Sequence, residues 1–217
     1  MVPDPPRVLW IRGDLSVFDA PSVAIVGSRA ASHYAIDVAK RLAAGLARAG
    51  VIVTSGMARG VDGAAHEACL GAGGRTIAVL GTGVDVVYPA EHQVLAGRIA
   101  TSGLLMSELR PGSVPEAWHF PRRNRLISGL SRAVVVVEAS EKSGSLITAR
   151  LALDQGREVM AVPGSVLYGR NRGAHALIKD GATPVEDAAD ILDALGLGGR
   201  VSEGNPRGQV SSGDLSP

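Results

Sequence analysis

Six times in this chain an apolar, strand-like run ends in a turn that carries glycine or serine. Val23–Val26 runs into Gly27-Ser28-Arg29, Val51–Thr54 into Ser55–Gly60, and Thr76–Val79 into Gly81-Thr82-Gly83. Leu104–Met106 runs into Ser107-Glu108, Val134–Val137 into Glu138–Ser145, and Val159–Val162 into Pro163-Gly164-Ser165. Helical patterns lie between them. After Ser32, a suitable N-cap, Ala35, Val38, Ala39, Leu42, Leu46 and Ala49 recur at helical spacing, and Gly50 ends the run. Further helices are predicted from an Asp62 cap through Leu70, over Leu146–Gln155, and over Asp187–Leu195. Strands alternating with helices make an α/β fold with a parallel sheet, and such a sheet places every post-strand turn on one edge. The strands are apolar on both faces, as in a sheet covered on both sides. A ligand should sit along the edge that collects the turns.

Composition narrows the choice of ligand. Of 217 residues, 46% are hydrophobic, enough for one well-buried core. The 22 Lys and Arg nearly cancel the 21 Asp and Glu, which excludes a bulk polycation but not a local basic rim. A single cysteine, Cys69, rules out an intramolecular disulfide and points to a reducing, cytoplasmic setting. No apolar run reaches the roughly 18 residues of a membrane span, and the N-terminus lacks signal character. Aromatics make up only 3%, so a nucleic-acid contact is expected to lean on Arg, Lys and backbone N–H groups. Residues 1–21 read as an extended lead-in with a short strand at Val8–Arg12, residues 22–195 as the globular domain, and 196–217 as a disordered tail.

Gly27-Ser28-Arg29 joins a strand to a helix; glycine permits the tight turn, free amides attract an anion, and Arg29 offers planar donors to phosphate. It is not a dinucleotide fingerprint, since Gly-x-Gly-x-x-Gly is missing. Ser55 and Gly56 open a longer loop that can cradle phosphate, with Arg59 alongside. Asp62 and His66 lie one turn apart, but no third metal ligand is near and no metal or other cofactor is expected. In the Gly81–Pro89 turn, Asp85 and Tyr88 can reach the edge. His119–Ser131 gathers Arg122, Arg123 and Arg125 around Asn124, with Arg122 and Arg123 ahead of a helix and Arg125 on it. This reads as a polyanion clamp in which one arginine holds the loop down by an internal pair. Lys142 precedes a helix start rich in serine, Ser143 and Ser145, again suited to an anion.

Ser22–Arg29, Ser55–Asp62 with Ala65-His66, Gly83–Asp85 with Tyr88-Pro89, and Phe120–Arg125 resemble the DNA-processing protein A (DprA, or Smf) family. Ser143–Ala149, Ala161–Gly164 and Leu177-Ile178 before Gly181-Ala182 carry the same resemblance, which runs in order from about Pro6 to Leu192. It implies a three-layer, extended Rossmann-like fold with a mainly parallel sheet. It implies a non-enzymatic protein that binds single-stranded DNA, protects incoming DNA and loads the RecA recombinase in natural transformation. By position Arg29 looks like the family's DNA-contacting arginine. His175 and Ile178 look like its homodimer contact, and Arg150 and Leu153 like its recombinase-facing surface. Two departures are visible. Ala90 stands where many relatives have a lysine, and the helical and winged-helix domains that often flank this one in relatives are expected to be absent. The rival reading is an enzyme similar to nucleoside monophosphate phosphoribohydrolases. Ser143–Thr148 lacks their glycine-rich loop and acid, which leaves Glu108 and Glu138 at strand ends as the only support.

Overall fold

The computed structural model describes residues 4–198; the remainder of the expected tail, 199–217, lies outside the described residues. In chain order the strands are β1 (Trp10–Gly13), β2 (Ser22–Val26), β3 (Ile52–Ser55), β4 (Thr76–Val79), β5 (Leu104–Ser107), β6 (Ala133–Val136), β7 (Glu158–Ala161) and β8 (Thr183–Pro184). The helices are α1 (His33–Arg48), α2 (Val61–Gly71), α3 (Gln93–Ser102), α4 (His119–Leu130), α5 (Ser145–Asp154), α6 (Arg172–Lys179) and α7 (Ala188–Ala194). All eight strands form one sheet in the order β1-β5-β4-β3-β2-β6-β7-β8. Every pairing is parallel except β1 with β5, where Trp10 stands opposite Ser107. The fold is three-layered and Rossmann-like.

Alternation along the strands feeds two apolar layers. Val23 and Ile25 point toward α1, α2 and α7, while Ala24 and Val26 point toward α4, α5 and α6. A third cluster, with Met57, Ala78, Leu80 and Leu105, packs under Leu95 and Ile99 of α3. The helix predicted after Ser32 forms as expected, with Ser32 Oγ accepting from Ala35 N at 3.2 Å. The lead-in contributes β1 to the sheet edge and a 3-10 turn, Leu15–Asp19, which buries Val17.

Two local expectations fail for identifiable reasons. Arg122 and Arg123 do not precede the helix; α4 begins at His119, because Pro121 in its first turn needs no intrahelical N–H partner. Asp62 does not cap α2. Gly60 takes the cap position at φ +73°, and the buried Asp62 carboxylate turns back to accept from Ala58 N at 3.2 Å. No helix among the described residues is long and apolar enough to cross a membrane.

Candidate nucleic-acid interface

After edge strand β1 the chain enters central β2, steps outward to β5, returns through α4 to β6 on the other side of β2, and steps outward again. The order therefore reverses between β2 and β6, and a crevice opens at their carboxyl ends, where such sheets bind ligands. The crevice holds about 710 Å³, the size class of a small-ligand site.

Its floor is the turn after β2. Ser28 N donates to Glu138 O at 2.8 Å, beyond the end of β6, and Val61 N donates to Ser28 O at 3.3 Å. The loop is thus fastened to a neighbouring strand and to the start of α2. This close approach needs glycine: a Cβ on Gly60 would lie 2.3 Å from Ser28 O, in a backbone conformation that already disfavours side chains. Gly60→Ala is expected to destabilise the chain by at least about 1–3 kcal/mol, read as a lowered midpoint of urea unfolding. An unchanged midpoint would mean the turn is loose.

The fastened turn presents Arg29, whose guanidinium lies over the Phe120 ring, 5.2 Å from its centroid. Phe120 stands 5.6 Å from the Tyr88 ring. Across the crevice α5 begins at Ser145, whose backbone N donates to Ser143 Oγ at 3.4 Å, and Ser143 Oγ lies 2.8 Å from Ser145 Oγ, so two hydroxyls line the positive end of the helix. A cation, a pair of rings and a helix start therefore face one space, a combination suited to phosphate beside a base.

Beneath them Arg123 is buried. It donates to Gly56 O at 2.6 Å and to Val79 O, so it ties the ends of β3 and β4 together from α4. Burial pulls its guanidinium down to about 10, while Asp62 nearby favours its charge and Arg29 opposes it. Burial in turn pushes the Asp62 carboxyl above the ordinary range against the pull of Arg123.

Of the residues singled out from the sequence, Gly27, Ser28, Arg29, Arg123, Asn124, Ser143 and Ser145 line the crevice. Others do not. Ser55 is buried and donates to Ile25 O at 2.6 Å, and Gly56 lies beneath the Arg123 guanidinium. Arg59 is paired with Glu91, Nη2 to Oε2 at 3.0 Å. Arg122 reaches Glu108 at 3.2 Å, and the buried Arg125 meets both oxygens of Glu108, at 2.8 and 3.0 Å. Arg125 also donates to Asp4 O at 3.0 Å. The clamp of three arginines is therefore corrected: Arg125 is an internal strut, Arg123 a buried tie, and only Arg122 stays exposed. Lys142 is exposed just ahead of α5. His175 Nε2 lies 3.1 Å from Gly164 O, Ile178 packs partly against the core, and Arg150 and Leu153 are exposed on α5. His66 Nδ1 meets Thr76 Oγ1 at 2.7 Å, and no three potential metal ligands cluster among the described residues.

The lining adds two rings to the cationic edge, one of which, Tyr88, was placed there from the sequence. Tyr88 and Phe120, with Pro115 and Pro121, supply an apolar wall that a count of 3% aromatics concealed. Phe120 stood next to the arginine run, where helical spacing from Phe120 to Asn124 was the available signal.

Fold and crevice together define an α/β protein with a cationic, ring-walled site at the switch point of a parallel sheet. The sequence matches the family DNA recombination-mediator protein A over residues 1–196, and the chain belongs to that family. It is 47% identical over 189 residues to DNA processing protein DprA of Streptococcus pneumoniae, across 87% of this chain and 67% of that protein. It is 46% identical over 196 residues to protein Smf of Escherichia coli, across 90% of this chain and 52% of that one. The chain thus spans between about half and two thirds of these relatives' length. The X-ray structure of S. pneumoniae DprA superposes with a TM-score of 0.84 at 45% identity, covering 87% of this chain and 66% of that one. DNA processing protein A from Helicobacter pylori, whose structure concerns its single-stranded DNA binding mode, gives 0.81 at 33% identity, covering 88% of each. The molybdenum cofactor carrier protein of Chlamydomonas reinhardtii, at 19% identity and a TM-score of 0.54 over 82% of this chain and 96% of that one, shares the fold alone.

Proposed function

We propose that this chain is a single-stranded DNA-binding module that protects incoming DNA and hands it to a RecA-type recombinase during natural transformation, in the cytoplasm and as a homodimer. The observation that carries the DNA reading is the placement of Arg29 over Phe120, across from the α5 start. Phosphate and base subsites lie side by side, and a ring can stack only on a base freed from a duplex. The H. pylori relative, described by its single-stranded DNA binding mode, supports it. Homodimerisation through His175 and Ile178, and a recombinase contact at Arg150 and Leu153, follow from the family resemblance.

A binding role is favoured over hydrolysis by the state of the two strand-end acids. Glu138 accepts from Ser32 N at 3.2 Å and Ser32 Oγ at 2.6 Å, and Glu108 is held by Arg122 and Arg125. Both carboxylates serve the scaffold rather than the crevice. Incubation with nucleoside monophosphates should release no free base.

Fluorescence anisotropy with labelled oligothymidylate tests the reading. Single strands should bind better than duplex, with affinity falling steeply as salt rises. Arg29→Ala should weaken binding by about 1–3 kcal/mol, the range for a charge-assisted hydrogen bond with its desolvation. Salt-independent binding, or an Arg29→Ala variant of unchanged affinity, would remove the crevice from the function.

A further inference from the structure

Free positive charge is not spread evenly along the carboxyl edge. Toward β3 and β4 the cations are matched: Arg59 by Glu91, and Arg122 and Arg125 by the shared Glu108. Glu116 lines that wall as well, and beyond it the Asp85 carboxylate accepts from Gly112 N at 2.8 Å. Toward β6 and β7 the balance reverses. Lys142 and Arg170 are exposed and have no ion pair among the described residues. Arg172 has only Glu141, at 4.0 Å between two exposed side chains. A pair of that kind contributes little.

The segment that carries Arg170 is joined to the crevice. Arg170 Nη1 donates to Ala30 O at 3.1 Å, and Ala30 is part of the crevice wall. Tyr34 Oη donates to Pro163 O at 2.8 Å, at the other end of the same loop. The Asn171 side chain closes the base of the loop, accepting from Ala139 N at 3.0 Å and donating to Val162 O at 2.9 Å. On this anchored loop Leu167 and Tyr168 are 79% and 76% exposed, two residues and one turn from a guanidinium with further donors to offer. A large ring held in water beside an unneutralised arginine, continuous with a site for phosphate and base, matches the chemistry of a stacking platform.

We propose that a single strand leaves the crevice across the ends of β6 and β7, with Arg170 holding a backbone phosphate and Tyr168 stacking a base outside the crevice. The two strand spacings from β2 to β7 amount to about 10 Å, which places this platform beyond the reach of the nucleotide seated over Arg29. The inference rests on the single-strand reading and adds to it a direction and a second subsite. The strand meets two unpaired cations toward β6 and β7, Lys142 and Arg170, whereas on the opposite side Arg59, Arg122 and Arg125 are already held by Glu91 and Glu108 and Arg110 alone is exposed without an ion pair among the described residues.

Oligothymidylates of two lengths separate the subsites: a dinucleotide, whose single step is shorter than the roughly 10 Å between them, and about fifteen nucleotides, within the roughly 4–16 typical of such modules. The full chain and its Tyr168→Ala, Arg170→Ala and Arg29→Ala variants are titrated by anisotropy at several salt concentrations, with mass followed by light scattering. Arg29→Ala should weaken both lengths. Tyr168→Ala should weaken the long oligomer roughly five-fold or more and leave the short one unchanged. Arg170→Ala should reduce the slope of log affinity against log salt for the long oligomer by about 0.7, one phosphate contact's worth. Wild-type behaviour of both loop variants at both lengths overturns the proposal while leaving the crevice intact. A Tyr168→Ala variant that changes mass but not affinity also overturns it, by assigning the loop to a contact between copies. A wild-type chain that binds neither oligomer overturns the single-strand reading, and this path with it.

Discussion

Replacing Arg123 with methionine should lower the free energy of unfolding by about 3–5 kcal/mol, because it strands two buried carbonyls and removes the cation nearest the buried Asp62 carboxyl. Three groups lose their support at once. The carbonyls of Gly56 and Val79, which lie at the ends of two adjacent strands, lose their shared donor. Buried acceptors left unmet cost about 1–3 kcal/mol each. Asp62 loses the cation that draws its carboxyl down against burial, and keeps only backbone and serine donors. Space near Arg123 is already filled: a Cβ on Gly56 would lie 2.6 Å from Arg123 Nη2 and 2.8 Å from Asp62 Oδ2. Urea unfolding followed by circular dichroism measures the change. Adding Asp62→Asn to Arg123→Met should restore part of the stability by removing the stranded charge. Arg123 also lines the crevice, so DNA binding falls in the same variant; Arg29→Ala, exposed and touching Arg123 only through a mild charge repulsion, should weaken binding without loss of stability. A loss under about 1 kcal/mol for Arg123→Met would show that the guanidinium is solvated in the native state.

The contrast between Arg29 and Arg123 marks the boundary of what the sequence discloses. The strand runs, their order of turns and the glycine-bearing loops are local features, so the parallel sheet and its ligand-bearing edge were readable from spacing. So was the cap at Ser32, whose partner lies three residues away. The fate of each arginine was not readable, because the deciding carboxylates are distant in sequence: Glu91 for Arg59, and Glu108 for Arg122 and Arg125. Only folding brings β5 beside α4. The strand at β1 was readable from Val8–Arg12, but its antiparallel place at the sheet edge was not, since its partner Ser107 lies far along the chain from Trp10. The aromatic wall was read only in part: Tyr88 was placed at the edge from its turn, whereas Phe120, brought beside it from a distant helix, was not.

Acidification should weaken the fold through His66. Its ring is fully enclosed, and burial, reinforced by the nearby charges of His92 and Arg123, pulls it down to about 3. Its hydrogen bonding fits the neutral form. Thr76 Oγ1 already donates to Val53 O at 2.5 Å, so at 2.7 Å it accepts from His66 Nδ1–H, and Nε2 is left without a partner. A proton added at Nε2 would be a buried, unmatched charge. In the unfolded chain the same ring titrates near 6.5. Between pH 6.5 and about 3 the unfolded state therefore holds a proton that the native state lacks. Stability contributed by His66 is complete above pH 6.5 and falls with pH by up to about 1.4 kcal/mol per unit, so roughly 2 kcal/mol is gone by pH 5. Asp62 acts in the other direction. Its raised native carboxyl takes up a proton before the unfolded one does, so acid relieves its burial. The sum of the two does not isolate either, but His66→Gln does: the variant removes one titration and leaves Asp62 in place. Its stability plotted against pH from 5 to 6.5 should be flatter than wild type by about one proton's slope. Parallel curves for the two proteins would mean that His66 accepts its proton inside the folded molecule.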